Sequence, residues 1–286
     1  VSSNLLITPG ELSDRLGDAG LKVVDVRAGE HYANGHIPGA QHFSVYGLNT
    51  YDTDDAPLRS FVHSWAFLLG RCGLSADEDV VIYEDLSGMS AARAVWFLEY
   101  LGHGGEVRML DGGLAAWRAE GHPIIQDATS APQVNYAYRL DASRVATRRD
   151  MLAAIGADDR LILDTRSDEE WFATRATARR NGTLPGARHL EWTENLTSEG
   201  RFKSIDALRE LYLARGVSPD KEVLAFCNTG YRSAHAYVAM RLMDYPRVRN
   251  YVGSWQEWGN RADTPIVEPD DPLVAPLSDD DERRDP

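Results

Sequence analysis

VVDVR at residues 23–27 is written a second time as ILDTR at 162–166, and this repetition decides the fold. Both are apolar runs that end in Asp-x-Arg, the pattern of a buried strand running into a loop. Outward from this pair, LITPGEL at 6–12 echoes VATRRDML at 145–152. Thr8 lies 139 residues before Thr147, the same offset that separates Arg27 from Arg166. IPGAQHF at 37–43 matches LPGARHL at 184–190 at an offset of 147. VVIYED at 80–85 matches VLAFCN at 223–228 at 143, and Gly112 and Trp117 match Gly253 and Trp258 at 141. A period of about 140 residues is far longer than a solenoid unit and suits a duplicated domain.

Each copy alternates short Val/Ile/Leu-rich runs with helical patterns such as SAARAVWFLEYLG and SAHAYVAMRLM. The expected fold class is therefore α/β, two tandem domains, each a parallel β-sheet flanked by helices. The domains are expected over 1–124 and 144–267. The stretch 125–143 loses periodicity, carries Ser130, Pro132 and Gln133, and reads as the linker. Residues 268–286 hold eight acids, two arginines and four prolines, which reads as a solvated acidic tail.

The 286 residues, 43% of them hydrophobic, supply apolar material for two cores. A formal net charge of -14 repels nucleic acid and anionic membrane surfaces. No apolar run approaches the roughly 20 residues that cross a bilayer. The expected partners are thus neither nucleic acid nor membrane. Two cysteines cannot form a dense disulfide framework, and Cys72, in LLGRCGLS, reads as a buried apolar thiol. The first residue is Val1 rather than Met. The expected compartment is the cytoplasm, or the periplasm if an export signal was removed before Val1.

The differences between the copies point to chemistry. Without gaps, YEDLSGMS of the first copy falls opposite FCNTGYRS of the second, and Glu84 opposite Cys227. The strand VLAF leads into a six-residue loop, Cys227 to Arg232, and then into a helix. A cysteine there sits at the C-terminal edge of a parallel sheet, where loop N–H groups and a helix N-terminus stabilise an anion. That setting lowers a thiol pKa from about 8.5 toward neutrality. Asn228, Thr229, Gly230, Tyr231, Arg232 and Ser233 form the expected cradle, with Gly230 admitting backbone angles closed to other residues. The bland reading is a buried structural cysteine at a strand-to-helix turn. His235 reads as a packing or helix-surface histidine, because a stabilised thiolate needs no general base.

The second copy also takes eight more residues between Asp-x-Arg and Pro-Gly, falling in ATRATARRNGT. From Trp171 to Leu190 there is no acid, while Arg175, Arg179, Arg180 and Arg188 are present. An anion site is one reading of these arginines, and pairing with acids elsewhere is the other.

DVR followed by GHIPGA, then LDGGLAAW, then DTR, LPGA and CNTGYRS together resemble the tandem-domain rhodanese family of sulfurtransferases, over residues 5 to 267. The resemblance implies two rhodanese-like domains, the first catalytically silent and the second bearing Cys227 as nucleophile. It implies a small anionic sulfur donor, a Cys227 persulfide, and a thiol, cyanide or protein as sulfur acceptor, with no metal or organic cofactor. Arg232 would hold the donor, joined by Arg179 or Arg180 from the inserted loop. CNTGYR is neither the Cys-Arg-Lys-Gly-Val-Thr loop frequent in thiosulfate enzymes nor the Cys-Gly-Ser-Gly-Val-Thr loop of 3-mercaptopyruvate enzymes. Its single cation at the last position leans toward thiosulfate. A donor of 3-mercaptopyruvate, or a persulfide carrier or redox sensor without turnover, are the alternatives. Phosphoryl transfer fits poorly, because four residues rather than five separate Cys227 from Arg232 and the cradle is small for a tetrahedral phosphate.

Overall fold

The computed structural model describes residues 5–269; the expected acidic tail lies outside them from residue 270 onward. The first copy runs β1 (Leu6–Ile7), α1 (Pro9–Arg15), β2 (Leu21–Asp25), α2 (Gly29–Ala33), β3 (Gln41–His42), α3 (Asp55–Arg71), β4 (Asp79–Tyr83), α4 (Met89–Tyr100), β5 (Val107–Leu110) and α5 (Gly113–Ala119). The second repeats it as β6 (Val145–Ala146), α6 (Arg148–Ala154), β7 (Arg160–Asp164), α7 (Asp168–Trp171), β8 (Arg188–His189), a 3-10 turn (Trp192–Asn195), α8 (Ile205–Ala214), β9 (Glu222–Phe226), α9 (Arg232–Leu242), β10 (Val248–Tyr251) and α10 (Ser254–Trp258).

The sheets have the same order, β1-β5-β4-β2-β3 and β6-β10-β9-β7-β8, and every pairing is parallel. The strands DVVIY and EVLAF lie at the centres and are apolar on both faces because helices cover both. Local chemistry is duplicated too. Thr8 with Glu11 and Thr147 with Asp150 form capping boxes at the starts of α1 and α6. The Asp-x-Arg pairs close as buried ion pairs, Arg27 Nε at 3.0 Å from Asp25 Oδ1 and Arg166 Nε at 3.0 Å from Asp164 Oδ1.

The linker is a packed strap rather than a free tether. Its amides at Val134 and Arg139 donate to the carbonyls of Gly70 and Leu101, and Tyr136 is buried. The copies meet through α4 against α9, and one apolar core runs across this contact. Thr53, just before α3, donates through N–H and hydroxyl to buried Glu257 of α10 at 2.9 and 2.8 Å. No helix among the described residues is long and apolar enough to cross a membrane.

Candidate active site

In the second sheet the chain leaves β7 toward one edge and β9 toward the other, so their C-terminal ends open a crevice. Asp-x-Arg and α7 follow β7, and the cysteine loop follows β9. A cavity of about 480 Å³ lies here, between the copies. Cys227 to Thr229, Tyr231, Arg232, Arg175, Thr177 and Trp192 line it from the second copy, and Tyr46, Asn49, Met89 and Ser90 from the first.

Cys227 sits at its floor. The Gly230 N–H points at Sγ from 3.1 Å, and Ser233 Oγ lies 3.6 Å from it. Tyr231, the residue before α9, makes no side-chain cap, so the first-turn N–H groups remain available to an anion. Burial pushes the Cys227 thiol up. The Arg232 charge, the N–H and hydroxyl of Ser233 and the N–H of Thr229 outweigh it and leave the pKa below the ordinary thiol value. Gly230 adopts φ +84°, and a Cβ there would stand 2.6 Å from Arg93 Nη1, so no other residue fits. Asn250 of β10 clamps the loop, donating to Gly230 O at 3.0 Å and accepting from Ser233 Oγ at 2.7 Å. Ser254 Oγ accepts the Cys227 N–H at 3.1 Å.

Arg232 is not a free anion-binding cation. It forms a bidentate pair with buried Glu170 of α7, Nη2 lying 2.9 Å from Oε1. Asn228 accepts from Gln256 at 3.1 Å, and the Tyr231 hydroxyl donates to Val45 O of the first copy at 2.6 Å. The expectation for Arg179 and Arg180 is corrected. Arg180 donates to the carbonyls of Thr264 and Trp258 at 2.9 and 3.0 Å, tying the inserted loop to the end of the second copy. Arg179 is exposed, and only its backbone N–H is anchored, to Asn260 Oδ1 at 3.0 Å. The inserted loop instead brings Arg175 to the cavity, while Arg188 is exposed on β8, outside the lining. His235 is fully buried, stacked on Phe202 and bonded through Nε2 to Ser87 O at 2.9 Å. Burial pulls its pKa down to about 4, so it is neutral at pH 7.

The first copy shows the same cradle filled by its own side chain. Glu84 Oε1 accepts the N–H groups of Ser90 and Ala91 at 2.6 and 2.8 Å, in the first turns of α4. Met89 stands where the second copy has Arg232.

The rhodanese-like domain family matches residues 8–120 and again 147–261. The chain belongs to the rhodanese family. It is 32% identical to a thiosulfate sulfurtransferase of Pseudomonas aeruginosa, covering 92% of this chain and 96% of that one. It is 34% identical to the sulfur carrier protein TtuD of Thermus thermophilus, over 92% and 96%. The crystal structure of the 3-mercaptopyruvate enzyme SseA from Escherichia coli superposes with a TM-score of 0.78 at 26% identity, over 88% of this chain and 99% of that one. Both rhodanese units are therefore present, each a five-stranded parallel sheet with flanking helices.

Among the described residues no group of three or more His, Cys, Asp or Glu converges as a metal site. Sequence reasoning missed Glu170, Trp192 and the first copy's share of the cavity. It also missed Arg93, although a lone cation in the apolar helix SAARAVWFLEYLG is a visible signal.

Proposed function

We propose that this protein is a thiosulfate sulfurtransferase working through a Cys227 persulfide. The observation that carries the reading is the Cys227 sulfur at the floor of an anion cradle that opens on the interdomain cavity. The thiolate attacks the outer sulfur of thiosulfate. A bond forms between Sγ and that sulfur, the S–S bond of thiosulfate breaks, and its electron pair leaves with sulfite. The N–H groups at the start of α9 then hold the persulfide anion. A thiophile such as cyanide attacks the terminal sulfur, and the Cys–S bond electrons return to the thiolate. No proton relay through His235 is required, because neither half-reaction needs a general base. The first copy is silent in this reading, since Glu84 occupies its cradle.

Arg175 supports a second donor. It lines the cavity and forms no ion pair with a described carboxylate, so it suits the carboxylate of 3-mercaptopyruvate as well as the sulfonate end of thiosulfate.

The test is thiocyanate formation from each donor plus cyanide, with Cys227→Ser as control, and the intact mass after donor alone. One added sulfur on Cys227 and an inactive Ser variant are expected. Wild-type turnover by Cys227→Ser would overturn the reading. Loading without turnover would assign a carrier.

A further inference from the structure

Among the described residues three arginines are buried: Arg27, Arg93 and Arg166. Two of them fold back on aspartates two residues upstream. Arg93, on α4 and fully buried, has no carboxylate at ion-pair distance among the described residues. Nη1 donates to Thr229 O at 2.9 Å, Nη2 to Leu48 O at 3.0 Å, and Nε has no partner. Its guanidinium carbon lies 4.2 Å from the ring centroid of Tyr231. Carbonyls and an aromatic face solvate a cation without neutralising it, and a buried charge left unneutralised is destabilising.

The charge-bearing groups that act on Arg93 are Tyr231, Cys227 and Tyr51. Of these, the Cys227 thiol is held below its ordinary pKa and the Tyr231 phenol above its own. Thr229, whose carbonyl accepts from the guanidinium, directly precedes Gly230, whose N–H points at Sγ.

The two central helices make this contact unequally. From α9, neutral His235 reaches the first copy's loop at Ser87 O. From α4, a permanent cation reaches the second copy's loop at Thr229 O. The charge is placed only where the loop carries a thiol.

We propose that Arg93, supplied by the copy without a thiol, is the counter-charge of the Cys227 thiolate and of its persulfide. It is a positioning residue, acting through the loop rather than touching substrate. Arg232 faces the same sulfur, but its charge is shared with Glu170, and Arg175 lines the cavity. Of these three cations Arg93 is the fully buried one, and no described carboxylate lies at ion-pair distance from it. The inference rests on Cys227 being the nucleophile, and it explains why the silent copy remains in the molecule.

The test reads the thiolate directly. The pH dependence of iodoacetamide alkylation at Cys227 is followed by peptide mass in the full chain and in Arg93→Gln and Arg93→Lys. Arg93→Gln should move the midpoint up by about one pH unit, about a tenfold loss of thiolate below it, and Arg93→Lys should restore most of the shift. A folded Arg93→Gln with an unchanged midpoint would overturn the proposal. A second measurement needs no change at Arg93. In the wild-type chain the Arg93 Nε–H resonance should titrate with the thiol, and in Cys227→Ser it should stay flat. A wild-type resonance indifferent to the thiol would equally overturn it. Neither readout uses donor or acceptor. A turnover-competent Cys227→Ser would therefore sink the sulfurtransferase reading while leaving the charge coupling separately measured.

Discussion

The two cysteines differ in surroundings more than in burial. Cys72, half-buried at the end of α3, points its thiol at His42 O from 3.3 Å, and burial pushes its pKa up. The Cys227 thiol is held below the ordinary value. At pH 7 a limiting dose of iodoacetamide should therefore modify Cys227 ahead of Cys72, as read by peptide mass, because the thiolate is the reactive form. Because the Cys227 pKa is depressed, sulfur loading should persist as pH falls below the usual thiol range and be lost only through the lowered midpoint. Arg175→Ala should raise KM for anionic donors about tenfold with kcat nearly unchanged, since Arg175 lines the cavity while Gly230 and Ser233 hold the sulfur. Cys227 and its loop were legible in the sequence because the first copy keeps the strand and helix without a thiol. Glu170 was not legible: its contact with Arg232 joins α7 to the start of α9, 62 residues apart.

At the scale of elements, the helix N-terminus after each central strand is an anion site, occupied differently in the two copies. In α4 it holds the Glu84 carboxylate. Burial is the largest influence on that group and raises its pKa from 4.5 to about 7, against the two N–H groups that lower it. The folded-state pKa thus lies above the unfolded value. Glu84 is neutral in both states below about 4.5, and stability is lost as pH rises through 7. Glu84→Gln keeps an acceptor for both N–H groups and carries no charge. It should raise unfolding free energy by about 3 kcal/mol at pH 8 and by almost nothing at pH 4, measured by urea denaturation. In the second copy, Glu170→Gln leaves half-buried Arg232 without its counterion and should lower stability by about 2 kcal/mol in the same assay. The repeated strands and helices were readable from the period of the pattern. The strap over α3 and α4 was readable only as a loss of periodicity, since its order comes from hydrogen bonds to Gly70 and Leu101 far away in sequence.

At the scale of the molecule, the copies share one core through α4 and α9, and Glu257 of α10 is satisfied by Thr53 of the first copy and Tyr251 of the second. Calorimetry should accordingly give a single cooperative transition for both copies, and two resolved peaks would show that the shared core does not couple them. The cavity exists only in the assembled pair, as its walls come from both copies. The sequence by itself determined the duplication, the parallel α/β architecture, the catalytic candidate Cys227 and its cradle, because these depend on local apolar period and on residue identity at matched positions. Only the tertiary structure decided which arginine reaches the cavity, that Arg232 is paired, and that Arg93 reaches the cysteine loop at Thr229 O. Those outcomes rest on where distant segments meet: Arg179, Arg180 and Arg175 share one loop and one chemistry, and the contacts of that loop with Trp258, Asn260 and Thr264 separate them.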